Sequence, residues 1–563
     1  MLKERTKYRL EFLGRDRKPF IILYLYMLLL YAPLIFLRLT NQYDGLWNQD
    51  DYMAGAWELS NGRWFWPYLD HARFGISLDP LPGIAAMAGF VLAVIMIGRI
   101  LGIRWNLQSY LAAMVFLAST GIACQLSFSY MSITFAFSTV TAVLAVYVLT
   151  VLPGSCRGGD ERKIENETGR PTRNKGIRFS KGLSIIWGGV RFPLVILSAA
   201  VIAVMMGCYQ ASLGITCLCA LAYFMRQLTG RESSCRERRG AALHFAWEMF
   251  LALVFGGLLY IAGLKLHEWL FHVEPADYQG FADLTAGYLL QHLPEGILHA
   301  YYTFGAMFLD GTFLVFFGQT GKWVRLLYLV PVLLLIVQIA GSGSEDLING
   351  ILMAASAVIL PVFANAFYLL APESECHMQM IVPMTLVIPL VFWTAAGELP
   401  AGRKVCARCL RGISVLGCGL FLWTGAAMTL TDEYAMYVGR RATEQVAKGI
   451  LSSMNVQSYD YLSGSILIVG NPCESLVFQK TDLYQKANAY AQYGNWTDEM
   501  GLNNQIWEEF FSNYLRIKVS FAAADTRDTI CSLPEVAAMP VYPAAGSVQN
   551  IYGVEVIKLA ELP

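Results

Sequence analysis

Apolar residues in this chain gather into long runs, not into the 3.6- or two-residue periodicities of half-buried helices and strands. A helix crossing about 30 Å of hydrocarbon needs about 20 mostly apolar residues, because every backbone amide must find its partner within the segment. The pattern predicts such helices over 20–38, 83–103, 108–126, 130–152, 192–209, 211–226, 242–265, 323–341, 349–371, 380–397 and 411–430. A twelfth run, 295–319, carries His299 and Asp310 and could span, re-enter or lie at the interface; eleven crossings, with this run less than a full span, are preferred over twelve. The expected fold is therefore mainly α, a polytopic helical bundle of about 11 spans over residues 1–430. Beyond 430 the pattern changes. A helical repeat (Tyr434, Val438, Ala442, Val446, Ile450) leads to a strand-like SGSILIVGN at 463–471, a helix over 503–514, and strand signals in RIKVSFA (516–522) and GVEVIKL (553–559). Residues 431–563 are expected to form a small C-terminal α/β extracytoplasmic domain.

Charge orients this bundle. The 563 residues are 56% hydrophobic and 15% charged, with 42 basic against 42 acidic side chains, a balance that excludes a polybasic nucleic-acid binder and an acidic disordered chain. Lys3, Arg5, Lys7, Arg9, Arg15, Arg17 and Lys18 precede the first span, which is too long, and too poor in small residues at its end, for a cleaved signal peptide. The loops 153–191, 226–240 and 398–410 are also basic. The positive-inside rule puts all four on the cytoplasmic side and the C-terminal domain outside. This topology leaves Lys322 and Arg325 on the outer face, against the rule, at the start of a span.

The first outer loop, 39–82, carries the densest candidate chemistry. It holds Asp44, Asp50, Asp51, Glu58, Asp70 and Asp79 against Arg63 and Arg73, with Trp47, Trp57, Trp64, Trp66, His71 and several tyrosines and phenylalanines. Carboxylates interleaved with flat rings suit a sugar, whose apolar face stacks while its hydroxyls donate to the acids. Structural readings stand beside this one. Aromatic residues at this depth form interfacial belts, and Asp50 or Asp51 can cap a helix at 52–60. Gln210, in a very short apolar hairpin, needs a hydrogen bond within the bundle if it binds nothing.

A cytoplasmic N-terminus and one span lead into Asn48-Gln49-Asp50-Asp51, Gly55, Trp57 and Gly62-Arg63. With Asp79-Pro80-Leu81-Pro82 and Tyr209-Gln210-Ala211-Ser212 on the same face, this order resembles the polytopic bacterial glucosyltransferase family best known from O-antigen glucosylation, of GT-C architecture. The resemblance covers about residues 1–430. It implies an inverting transfer of a hexose, glucose in that family, from a polyprenyl-phosphate donor to a cell-surface polysaccharide outside the bacterial cytoplasmic membrane. On that reading Asp50 or Asp51 is the general base, the other orienting hydroxyls. Arg63, Arg73, Lys322 and Arg325 are candidates for the donor phosphate, and Asp44, His71, Asp79, Tyr209 and Gln210 for further substrate contacts. No cofactor or metal is expected, since a donor with one phosphate asks little of a divalent ion. The expected partners are the lipid-linked sugar, the acceptor glycan and the bilayer. A transporter or flippase of lipid-linked sugars is the alternative, although acids collected in an outer loop fit it less well than acids at mid-membrane.

Other motifs fail on context. Cys406 and Cys409 have metal-pair spacing without a second pair or a histidine, and Gly341-Ser342-Gly343 follows a span instead of a strand. Cys473 and Cys531 are the only cysteines beyond 430, either a disulfide or two free thiols.

Overall fold

A computed structural model describes residues 2–40, 44–47, 52–152, 191–230, 234–276, 286–310, 320–395, 404–456, 459–461, 463–471, 474–494 and 504–562. Eight helices among them are long and apolar enough to cross a membrane, and a ninth crossing arises if Leu107–Leu117 and Thr120–Ser127, bent by 46°, are taken as one. The bend falls where Ser119 caps the second helix, its hydroxyl accepting from the Ile122 amide at 3.5 Å. Phe192–Cys208 is apolar but shorter, and the first predicted span divides between Leu2–Leu30 and Ala32–Phe36. Small residues let the helices approach closely. A Cβ on Gly256 would lie 2.7 Å from Ile202, and one on Gly350 would collide with the backbone of Gly343.

Four ion pairs gather at one end of the bundle: Arg99–Asp16, Arg191–Glu248, Arg238–Glu345 at 2.8 Å and Arg239–Asp346 at 2.9 Å. The last two put the turn at 345–346 beside the start of Cys235–Phe271, so Leu329–Glu345 runs antiparallel to that helix. Between the two in sequence, Ala286–Gly305 packs near the opposite end. There His299 Nδ1 lies 2.6 Å from the Pro372 carbonyl and Asn365 Nδ2 donates to the Ala300 carbonyl at 3.0 Å.

The helix predicted to end at 430 continues unbroken over Lys404–Val456, so a boundary at 430/431 falls inside it. Its far half enters the C-terminal region, where Val446, Ala447, Ile450 and Met454 are buried among Ile466, Ile468, Trp507, Phe510 and Phe511. The strands are β1 (Ser465–Val469), β2 (Val548–Ile551) and β3 (Val554–Lys558), in spatial order β1-β3-β2, with β1 parallel and β2 antiparallel to β3. The continuous apolar run of β1 is explained by burial on both faces. Ile466 and Ile468 join the core around Trp507, while Leu467 and Val469 pack with Ile530, Val536 and Met539 on the other side.

Two strand expectations change. RIKVSFA supplies only a bridge among the described residues, Phe521 with Ile466, and its Ile517 amide donates to the Phe511 carbonyl at 2.9 Å. The unpredicted β2 joins β3 through Tyr552-Gly553, both at positive φ (50° and 86°), a hairpin turn without the Asn-Gly or Asp-Gly signal that usually reveals one. Cys531 carries a free thiol, and Cys473 lies outside the described residues.

Candidate active site

The end of the bundle away from the four ion pairs carries the loop 52–80, which folds around two buried carboxylates. Asp70, on the short helix Trp66–Ala72, is fully buried. Its Oδ2 accepts from the Ala54 amide at 2.9 Å, and its Oδ1 accepts from Arg73 Nε and Nη2 at 3.0 and 2.8 Å. Arg73 also donates to Ser77 Oγ at 2.9 Å and to the Tyr130 carbonyl. Burial pushes the Asp70 carboxyl above the usual carboxylate range, while Arg73 and the Ala54 amide pull it back. Glu58 accepts from the Gly55 amide at 2.8 Å and from the Tyr52 hydroxyl. The helix here is Ala56–Ser60 with Gly55 as its N-cap, so neither Asp50 nor Asp51 caps it.

Arg73 is thus a strut of the loop. Arg73→Ala is expected to cost about 3 kcal/mol by leaving the Asp70 carboxylate buried and uncompensated, read as a lower unfolding temperature that Arg73→Lys partly restores.

Arg63 has the opposite surroundings. Among the described residues it forms no ion pair, and its Nε has no hydrogen-bond partner. Its guanidinium carbon lies 5.7 Å from the ring centroids of both Trp66 and Tyr209. It lines an open pocket with about 510 Å³ of empty volume, part of it continuous with solvent. Asn61, Tyr209, Gln210, Ser374, His377 and Gln379 are among the other lining residues. Backbone and bundle together aim Arg63 into this space. Gly62 sits at φ +78°, and a Cβ there would collide with the Tyr260 hydroxyl. That hydroxyl donates to the Gly62 carbonyl at 3.1 Å, and Gln210 Nε2 donates to the Asn61 carbonyl at 2.9 Å and to the Tyr260 oxygen at 3.1 Å. The Phe65 amide ties the loop to the Gly207 carbonyl at 2.8 Å.

The structure therefore brings Arg63, Tyr209 and Gln210 together and holds Asp70 with Arg73 as a neighbouring support. Asp79 lies 3.7 Å from Arg38, and His71 is exposed. Arg325 is exposed on Thr320–Leu327, which packs against Lys404–Val456 and Leu329–Glu345. Asp50 and Asp51 lie outside the described residues, as do the side chains of Asp44 and Lys322. Asn61, Tyr260, His377 and Gln379 were missed by sequence reasoning. A polar hairpin (APESECHMQM, 371–380) between two spans on the acidic face was the available signal for the last two.

A family model described as "Glucosyl transferase GtrII" matches residues 34–394, which include every residue lining the pocket. The chain belongs to the GtrII glucosyl transferase family. No curated protein and no solved structure matches it. The GtrII match ends before Lys404–Val456 and the sheet that follows, so the family region and the C-terminal region meet between the last two apolar helices. As a GtrII protein the chain is a membrane-helical glycosyltransferase, and glucosyl transfer is the activity its family implies.

Proposed function

We propose that this protein moves a glucosyl unit from a polyprenyl-phosphate donor to a cell-surface polysaccharide at the outer face of the bacterial cytoplasmic membrane, as an inverting GT-C-type enzyme. The observation that carries this reading is Arg63, a cation with no ion-pair partner among the described residues, in a pocket of mixed polar and apolar lining at the loop-bearing end of the bundle. A single displacement needs two things there. The acceptor hydroxyl oxygen attacks the anomeric carbon as its proton passes to a carboxylate, Asp50 or Asp51. The bond from the anomeric carbon to the phosphate oxygen breaks, its electron pair leaves with polyprenyl phosphate, and Arg63 compensates that charge.

The topology read here has eleven crossings, with Ala286–Gly305 entering and leaving from the site's side; the Arg238–Glu345 and Arg239–Asp346 pairs support that count. The basic loops are cytoplasmic, and the pocket and C-terminal domain are outside. Lys322 and Arg325 then belong to the outer half, where a snorkelling role and a second phosphate contact are both open to them.

The test supplies polyprenyl-phosphate glucose and acceptor polysaccharide to proteoliposomes in the presence of a chelator. Hexose is expected on the polysaccharide, at an undiminished rate. Labelled lipid crossing the bilayer without transfer to glycan would make the protein a flippase instead.

A further inference from the structure

The GtrII match ends at residue 394, leaving the C-terminal region without a role. We infer that this region positions the first outer loop for transfer. Two separate contacts hold residues 37–38 and residue 46. At the first, Tyr514 donates to the Arg38 carbonyl at 3.0 Å, and Arg440 donates to the Leu37 carbonyl and to the Tyr514 hydroxyl. The Arg38 and Arg440 guanidinium carbons lie 6.0 and 5.3 Å from the Tyr514 ring centroid.

At the second, the short helix Asp44–Trp47 sends Leu46 into the C-terminal core. Leu46 is 0% exposed there, in the cluster built by Trp507, Phe510 and Phe511, and Asn513 Nδ2 donates to the Leu46 carbonyl at 3.3 Å. On the far side of the Asn48–Asp51 motif, the Tyr52 amide donates to the Gly75 carbonyl at 2.9 Å, within the family region. The motif is therefore flanked by an anchor on each part of the protein. One anchor is supplied by residues that lie outside the family match.

This rests on the reading of Asp50 and Asp51 as the acids that serve the acceptor. A carboxylate that acts as base only in the transition state loses rate, not donor affinity, when its support shifts. In the full-length chain, turning over polyprenyl-phosphate glucose, Leu46→Ala is expected to lower kcat at least about tenfold. Its donor KM should stay within about twofold at matched protein level and well below the unfolding temperature, which the cavity lowers. Leu46→Met, which refills the socket, should return kcat to within about threefold of the parent. Tyr514→Phe, which removes the bond to the Arg38 carbonyl, should fall between them.

Wild-type kcat in Leu46→Ala overturns the inference, as does a loss that Leu46→Met shares along with a fall in unfolding temperature. If Asp50→Asn and Asp51→Asn stay active while Leu46→Ala is slow, the loop is still positioned and only the choice of base is wrong. A donor-independent check is Leu46→Cys, expected to resist a membrane-impermeant maleimide when the labelled sites are mapped by mass spectrometry. Rapid labelling there removes the docking whatever the donor proves to be.

Discussion

Arg63→Ala is expected to lower kcat/KM for glucosyl transfer by about 10²–10³-fold, with the protein still folded. The departing phosphate gains charge as the glycosidic bond breaks, and a positioned donor not committed to another anion stabilises that charge without reorganisation. Arg63 meets this condition where Arg73 does not. Arg73 commits its guanidinium to Asp70, Ser77 and the Tyr130 carbonyl, whereas Arg63 lies near the Trp66 and Tyr209 rings and its Nε has no hydrogen-bond partner among the described residues. Arg63→Lys is expected to recover little, because a point charge on a flexible stem neither stacks on Trp66 and Tyr209 nor presents a planar fork to phosphate. Initial rates across donor concentrations check this, and an unchanged kcat/KM in Arg63→Ala would remove the pocket from the donor site.

Of the variants Asp50→Asn and Asp51→Asn, one is expected to lose about 10²–10⁴-fold in kcat and the other distinctly less. Asparagine keeps the size and the hydrogen-bonding reach of the side chain but has no basic lone pair to take the acceptor proton. A mere capping or solvated role predicts almost no change. The unequal loss follows because one carboxylate takes the acceptor proton while the other only orients hydroxyls. Transfer rates at matched protein levels decide it, and full activity in both variants means the base lies elsewhere.

Much of this was legible in the linear chain. Apolar runs of about 20 residues have few solutions other than membrane helices, so the bundle follows from desolvation of the peptide group alone. The β1 and β3 strands were equally readable, since SILIV and VEVIK are too short and too β-branched for helices. The charge bias in the loops and the short motifs around Asn48–Asp51, Gly62-Arg63 and Tyr209–Ser212 pointed to a glycosyltransferase, and the GtrII match agrees.

What the sequence by itself determined is the class of protein and the end of the bundle where the candidate residues gather, because both depend on local quantities: hydropathy, charge and spacing. What only the tertiary structure decided is which residues share a site. Arg63 and Arg73 are ten positions apart in one loop and look alike in sequence. One is bound to a buried carboxylate, and the other faces an open pocket completed by residues about 150 and 310 positions away. Likewise nothing in the local pattern of Leu46 foretold a socket between residues 446 and 559. Such pairings are set by how distant helices pack, and packing energy depends on the whole surface a side chain meets, which no local window contains.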